Sequence, residues 1–106
     1  MSKLDRWLII VSLFFLASSA TFATGNVELG KKKAETCLGC HAVTGYFNVY
    51  PSYRVPKLGG QNIGYLVNAL NAYKNGTRMH ATMQANAFNL TDEEILDIAT
   101  YMSSLK

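Results

Sequence analysis

The only two cysteines of this 106-residue chain stand in one short stretch, Cys37-Leu38-Gly39-Cys40-His41. Two residues three apart on a helix share a face. Here both are thiols, and a histidine follows at once. A disulfide, a redox dithiol, a zinc site and a covalent haem each use paired cysteines. Each demands a different surrounding chain, so this stretch limits the fold more than any other.

The chain opens MSKLDRWLIIVSLFFLASSATFATG. Lys3 and Arg6 make a positive start, Trp7 to Ala17 is almost wholly apolar, and small residues follow up to Ala23. That is the order of a secretory signal. Cleavage after Ala23 puts Thr21 and Ala23 at the two small-residue positions, and cleavage after Ala20 fits nearly as well. A spanning helix wants about twenty apolar residues, and this run reaches Ser18 far sooner. The expectation is a cleaved signal over residues 1–23, a single domain over 24–106, and export. The mature form then has no membrane span; a retained signal would act as an anchor.

Removing the signal takes Lys3, Arg6 and Asp5 with it, so the net charge falls from +3 to near +2. That balance is too mild to argue for nucleic acid. A mature domain this short buries a modest core and usually needs a staple.

Three main helices can be read, and the segments between them read as loops. The first runs from Asn26 to about Cys40, with Val27, Gly30, Ala34 and Cys37 on one face and Lys31, Lys32 and Lys33 toward water. The second runs from about Asn62 to Asn75 on the stripe Ile63, Leu66, Val67 and Leu70, with Gly76 as its stop. The third starts at Thr91, which makes a capping box with Glu94 and buries Ile95, Ile98, Ala99 and Met102. Nothing reads as a sustained strand. The class is all-α.

This setting sorts the cysteine chemistries. A thioredoxin-like dithiol needs a strand-helix-strand unit, which is missing. A structural zinc wants four ligands, and His80 is not set in a finger spacing. C-x-x-C-H fits haem: each thiol adds to a vinyl group, and His41 is placed to bring its imidazole to the iron. One haem then supplies the staple as an apolar plate at the core of a small protein.

The remaining chain resembles the class I c-type cytochromes, most nearly one half of the dihaem proteins of the cytochrome c-four type or their small single-haem relatives. The segments carrying this are GNVELGKKKAETCLGCH, VPKLGGQNIGYLVNALNAYKNGTR and MHATMQANAFNLTDEEILDIATYMSSL. The resemblance implies a small single-domain class I cytochrome c fold wrapped around one covalently bound haem. It also implies that the first and last helices cross at Gly30 and Tyr101. From Pro56-Lys57-Leu58 it implies that the Pro56 carbonyl accepts a hydrogen bond from His41 and that Leu58 touches the haem face.

Between His41 and Pro56 stand Tyr46, Phe47, Tyr50 and Tyr53. Two or three of these rings are expected to wall the haem. A ring hydroxyl or Arg54 is a candidate partner for a haem propionate, since a guanidinium pairs with a carboxylate bidentately.

The second axial ligand has four candidates: Met79, His80, Met83 and Met102. Met102 belongs to the buried face of the third helix. The other three lie between Gly76 and Thr91, in a loop read as lacking structure of its own and long enough to be functional. Met79 lies close to the exit of the second helix, and His80 reads as a surface residue. Met83 lies mid-loop, seven residues before Leu90, at the spacing of the ligating methionine in the cytochromes this chain resembles. His41 and Met83 are the expected axial pair.

Iron held on both sides has no open position for substrate, and the chain offers no catalytic carboxylate pair or activated nucleophile. The expectation is a soluble electron carrier in the periplasm, not an enzyme. It would act as a monomer in transient complexes with redox proteins, through a haem edge ringed by Lys31, Lys32, Lys33 and Lys57 if they lie on that side. The alternative is an electron-transfer subunit of a dehydrogenase or oxidase complex. A gas-binding protein of the four-helix c-type class would usually carry its C-x-x-C-H near the C-terminus instead.

Overall fold

The computed structural model describes residues 24–42, 45–50 and 52–105. The signal expected over residues 1–23 lies outside them. Among the described residues, no helix is long and apolar enough to cross a membrane. They hold five helices and one two-stranded hairpin: α1 Val27–Lys33, α2 Glu35–His41, β1 Phe47–Val49, β2 Ser52–Arg54, α3 Ile63–Asn75, α4 Ala81–Ala87 and α5 Asp92–Ser104.

The first helix of the sequence reading is two helices. They meet at Ala34, whose ψ of −4° tightens the chain so that Cys37 N–H reaches the Ala34 carbonyl at 2.9 Å. A helix bond normally spans four residues, and this one spans three. Ala34 stays fully buried at this break. Lys31, Lys32 and Lys33 are exposed, as their spacing predicts.

α3 and α5 keep their expected limits. The Asn62 side chain accepts from Tyr65 N–H at 3.1 Å, and Gly76 closes α3 at φ 83°, a left-handed conformation that suits glycine. Thr91 and Glu94 form the reciprocal capping box at 3.0 and 3.1 Å. Ile95, Ile98, Ala99 and Met102 are buried. The core gathers Ala34, Leu66, Ile98, Ala99 and Met102 from α1–α2, α3 and α5.

α1 crosses α5 at Gly30. A Cβ there would overlap the Asp97 carbonyl oxygen and come within 2.9 Å of Tyr101 Cβ. The chain ahead of α1 is tied to the same helix: Gly25 N–H donates to Thr100 Oγ1 at 2.8 Å and Asn26 N–H to Asp97 Oδ1 at 2.7 Å.

Two departures from the sequence reading remain. The hairpin pairs Phe47 with Arg54, Asn48 with Tyr53 and Val49 with Ser52. Three-residue strands are too short to show a convincing alternation. The supposed loop from 76 to 91 contains α4. Its sequence ATMQANA holds three alanines, with Met and Gln among the better helix formers. Its N-cap is His80, whose Nδ1 accepts from Met83 N–H at 3.4 Å. Histidine is outside the usual capping set, so the start signal is missing from the sequence.

Candidate functional site

α2 has half-buried thiols at Cys37 and Cys40 and ends in His41, which is buried to 8% exposure. No disulfide joins the two thiols. The His41 Nδ1 lies 2.6 Å from the Pro56 carbonyl oxygen. A carbonyl can only accept, so the proton sits on Nδ1 and the lone pair on Nε2 is available to a metal.

All three side chains line a crevice of about 300 Å³. Leu66, Ala69 and Leu70 of α3 and Ile98 and Met102 of α5 give it apolar walls. Val55, Pro56 and Leu58 close the His41 side. Tyr53 and Arg54 of β2 stand at one edge, and His80, Thr82, Met83 and Asn86 come from α4 and its cap. Among the described residues, no carboxylate lines the crevice, and the arginines that do are Arg54 and Arg78. Among the described residues, no cluster of three or more His, Cys, Asp or Glu is placed to hold a metal ion by itself.

Burial pushes the Cys37 thiol above its ordinary pKa, a hydrogen bond with Thr36 opposes this, and the charge of Cys40 adds to it. An apolar wall disfavours thiolate. It accepts a thioether at no such cost, because a thioether carries no charge.

The cytochrome c family model matches residues 27–106. The chain belongs to the cytochrome c family. Within that family it is similar to cytochrome c-554(548) of Halomonas halodenitrificans, with 40% identity over 83 residues, covering 76% of this chain and 96% of that protein. It is 31% identical over 103 residues to cytochrome c4 of Pseudomonas aeruginosa, covering 97% of this chain and 50% of that one. The chain therefore spans about half the length of that relative. The solved structure of cytochrome c4 from Acidithiobacillus ferrooxidans aligns with a TM-score of 0.65 at 25% identity, over 95% of this chain and 64% of that one. The fold is the class I cytochrome c fold of the c4 type.

The cytochrome c family carries haem c, attached covalently. When bound, haem c supplies one-electron oxidation and reduction at its iron. The crevice fits that group. It has two thiols on one helix face, a buried imidazole with a free lone pair, apolar walls, and cations without carboxylates at its rim.

The expected site residues fall out unevenly. Cys37, Cys40, His41, Arg54, Pro56, Leu58 and Met83 all line the crevice. Met83 is half-buried and sits on α4, not mid-loop. Met79 is 78% exposed and outside the lining, whereas His80 lines the crevice and is no free surface residue. Of the four rings between His41 and Pro56, Tyr53 alone is in the lining. Hairpin alternation turns Phe47 outward, and Tyr50 at the turn is 95% exposed. Lys31, Lys32, Lys33 and Lys57 are absent from the lining. Lys33 instead pairs with Glu94 at 2.7 Å.

Sequence reasoning missed the cluster of Arg78 with Tyr65 and Tyr73. The Arg78 guanidinium lies 4.8 Å from the Tyr73 ring centroid. The Tyr65 side chain, and then Tyr73, hold its pKa above the ordinary value. A cation two residues past the Gly76 stop was a legible sign; the two tyrosines, eight apart on α3, were not.

Proposed function

We propose that this cytochrome c domain is a soluble one-electron carrier. Cys37 and Cys40 would hold haem c as thioethers, and His41 and Met83 would be its axial ligands. The observation that supports this reading is the buried His41 imidazole, held by the Pro56 carbonyl, in the lining of the same crevice as the Met83 thioether.

Each residue has a separate task. The Pro56 carbonyl keeps the proton on Nδ1, fixes the ring and raises the basicity of Nε2. The Met83 thioether favours ferrous iron and raises the potential. With His41 and Met83 both holding the iron, no position would remain there for a substrate, and the domain would carry electrons without acting as an enzyme. Leu58 would touch the haem face, and Arg54, also in the crevice lining, would be the partner of a propionate. The apolar walls exclude water, which limits the reorganisation that accompanies a change of charge.

Export follows from residues 1–23, with the mature domain beginning at Thr24 or, after cleavage at Ala20, at Thr21. The location is then the periplasm, and the partners are redox proteins met in small transient encounters. The decisive experiment is a redox titration of the purified holo-protein combined with carbon monoxide exposure. A reversible one-electron wave, low-spin spectra in both states and no rapid carbon monoxide binding at neutral pH are expected. Rapid binding would overturn the carrier reading. Purification only within a larger complex would replace the free carrier by a complex subunit.

A further inference from the structure

Met83 rides on a helix of seven residues. Isolated helices that short do not hold in water. Something outside α4 must keep the sulfur in place. Tyr53 crosses to α4 from the hairpin. It is the inward-facing residue of β2, half-buried between exposed Ser52 and Arg54. Its hydroxyl lies 3.0 Å from Thr82 Oγ1, beside Met83. Its ring meets the His80 ring edge-to-face, with centroids 4.6 Å apart and planes at 85°. His80 in turn caps α4 at the Met83 N–H. One side chain therefore grips both the cap of α4 and the residue next to the sulfur, and it does so at the edge of the crevice.

We propose that Tyr53 is a positioning residue for the Met83 thioether, a strap from the hairpin to α4 that sets how readily the sulfur leaves the iron. This rests on the reading of Met83 as axial ligand. The hydroxyl–hydroxyl bond fixes the start of α4 against the hairpin. The edge-to-face contact adds a preferred ring geometry. Removing the strap lets α4 swing outward, so an added ligand gains access to the iron more often.

The test is the rate at which imidazole enters the ferric holo-protein. Entry requires the Met83 sulfur to leave first. Tyr53→Phe removes the hydroxyl and keeps the ring; Thr82→Val removes its partner. A net hydrogen bond predicts entry about threefold to tenfold faster in each single variant. The double variant should be no faster than either single one, because both remove the same bond. The sulfur-to-ferric-iron absorption should persist at rest in all three. Entry within about twofold of wild type in Tyr53→Phe, or rates that multiply in the double variant, overturns the strap. A separate Met83→Ala control keeps the two ideas apart. If that variant retains the sulfur absorption, the ligand reading itself has failed, whatever Tyr53 does.

Discussion

Gly30 of α1 faces the backbone carbonyl of Asp97 on α5 with no room for a Cβ between them. The two helix backbones meet at that point, and the core beside it includes Ala34, Ile98 and Ala99. Two effects oppose each other in Gly30→Ala. Alanine gains about 1 kcal/mol of helix propensity over glycine. Overpacking costs about 1–3 kcal/mol, and here the obstacle is backbone, which cannot change rotamer. The overlap wins. Gly30→Ala should lower the stability of the holo-protein by about 1 kcal/mol net, or the melting temperature by about 6 °C. A neutral or stabilising result would mean that the helices do not cross there.

Met83→Ala should abolish the weak sulfur-to-ferric-iron absorption and open the iron to added ligands. It should also lower the reduction potential by more than about 60 mV, a tenfold change for one electron. Met79→Ala should do none of these, since Met79 is exposed and outside the crevice. If the two variants exchange behaviour, the axial ligand is Met79.

Arg54→Ala and Arg78→Ala should each lower the reduction potential. A nearby cation disfavours the more positive ferric state, so removing it stabilises that state. Both side chains are exposed, and water screens them, so each shift should stay below about 60 mV. The Arg78 guanidinium is held at the rim by Tyr65 and Tyr73. Tyr73→Leu should therefore reproduce part of the Arg78→Ala shift in a redox titration, and a potential equal to wild type would separate Arg78 from the haem.

Glu94 gives a pH signature. The Lys33 ammonium, and then the Thr91 backbone N–H, hold its carboxyl below the usual carboxylate range. The unfolded chain therefore binds a proton at higher pH than the folded one. The stabilisation is complete above the ordinary glutamate value of about 4.3 and is lost as pH falls through the depressed folded value. Glu94→Gln keeps a capping-box side chain without the charge. Its stability should fall less steeply than wild type on acidification through that window, measured by denaturant unfolding at several pH values. Parallel curves would show that the pair adds nothing.

Much of the site was legible because covalent chemistry fixes its spacing. Cys37, Cys40 and His41 stand within five residues, and one helix end brings all three to the crevice lining. Caps and stripes placed α3 and α5 because their signals are local: Asn62, Gly76 and the Thr91–Glu94 box act within four residues. α4 escaped because its cap is a histidine and its seven residues cannot stand as a helix without neighbours. The break at Ala34 escaped because alanine is the best helix former and announces no break.

By itself, the sequence determined that two thiols and an imidazole share a helix end, that one helix starts at Thr91, and that a core this modest usually needs a staple. Only the tertiary structure decided which side chains line the crevice. It turned Tyr53 inward and Phe47 outward, moved Met83 onto a helix, brought Arg78 to the rim between two tyrosines, and left Lys33 paired with Glu94. These outcomes depend on contacts between residues far apart in the chain, such as Tyr53 with Thr82 and Gly30 with Asp97. Local propensity and spacing carry no information about a partner that distant, because its energy appears only when the chain has already folded.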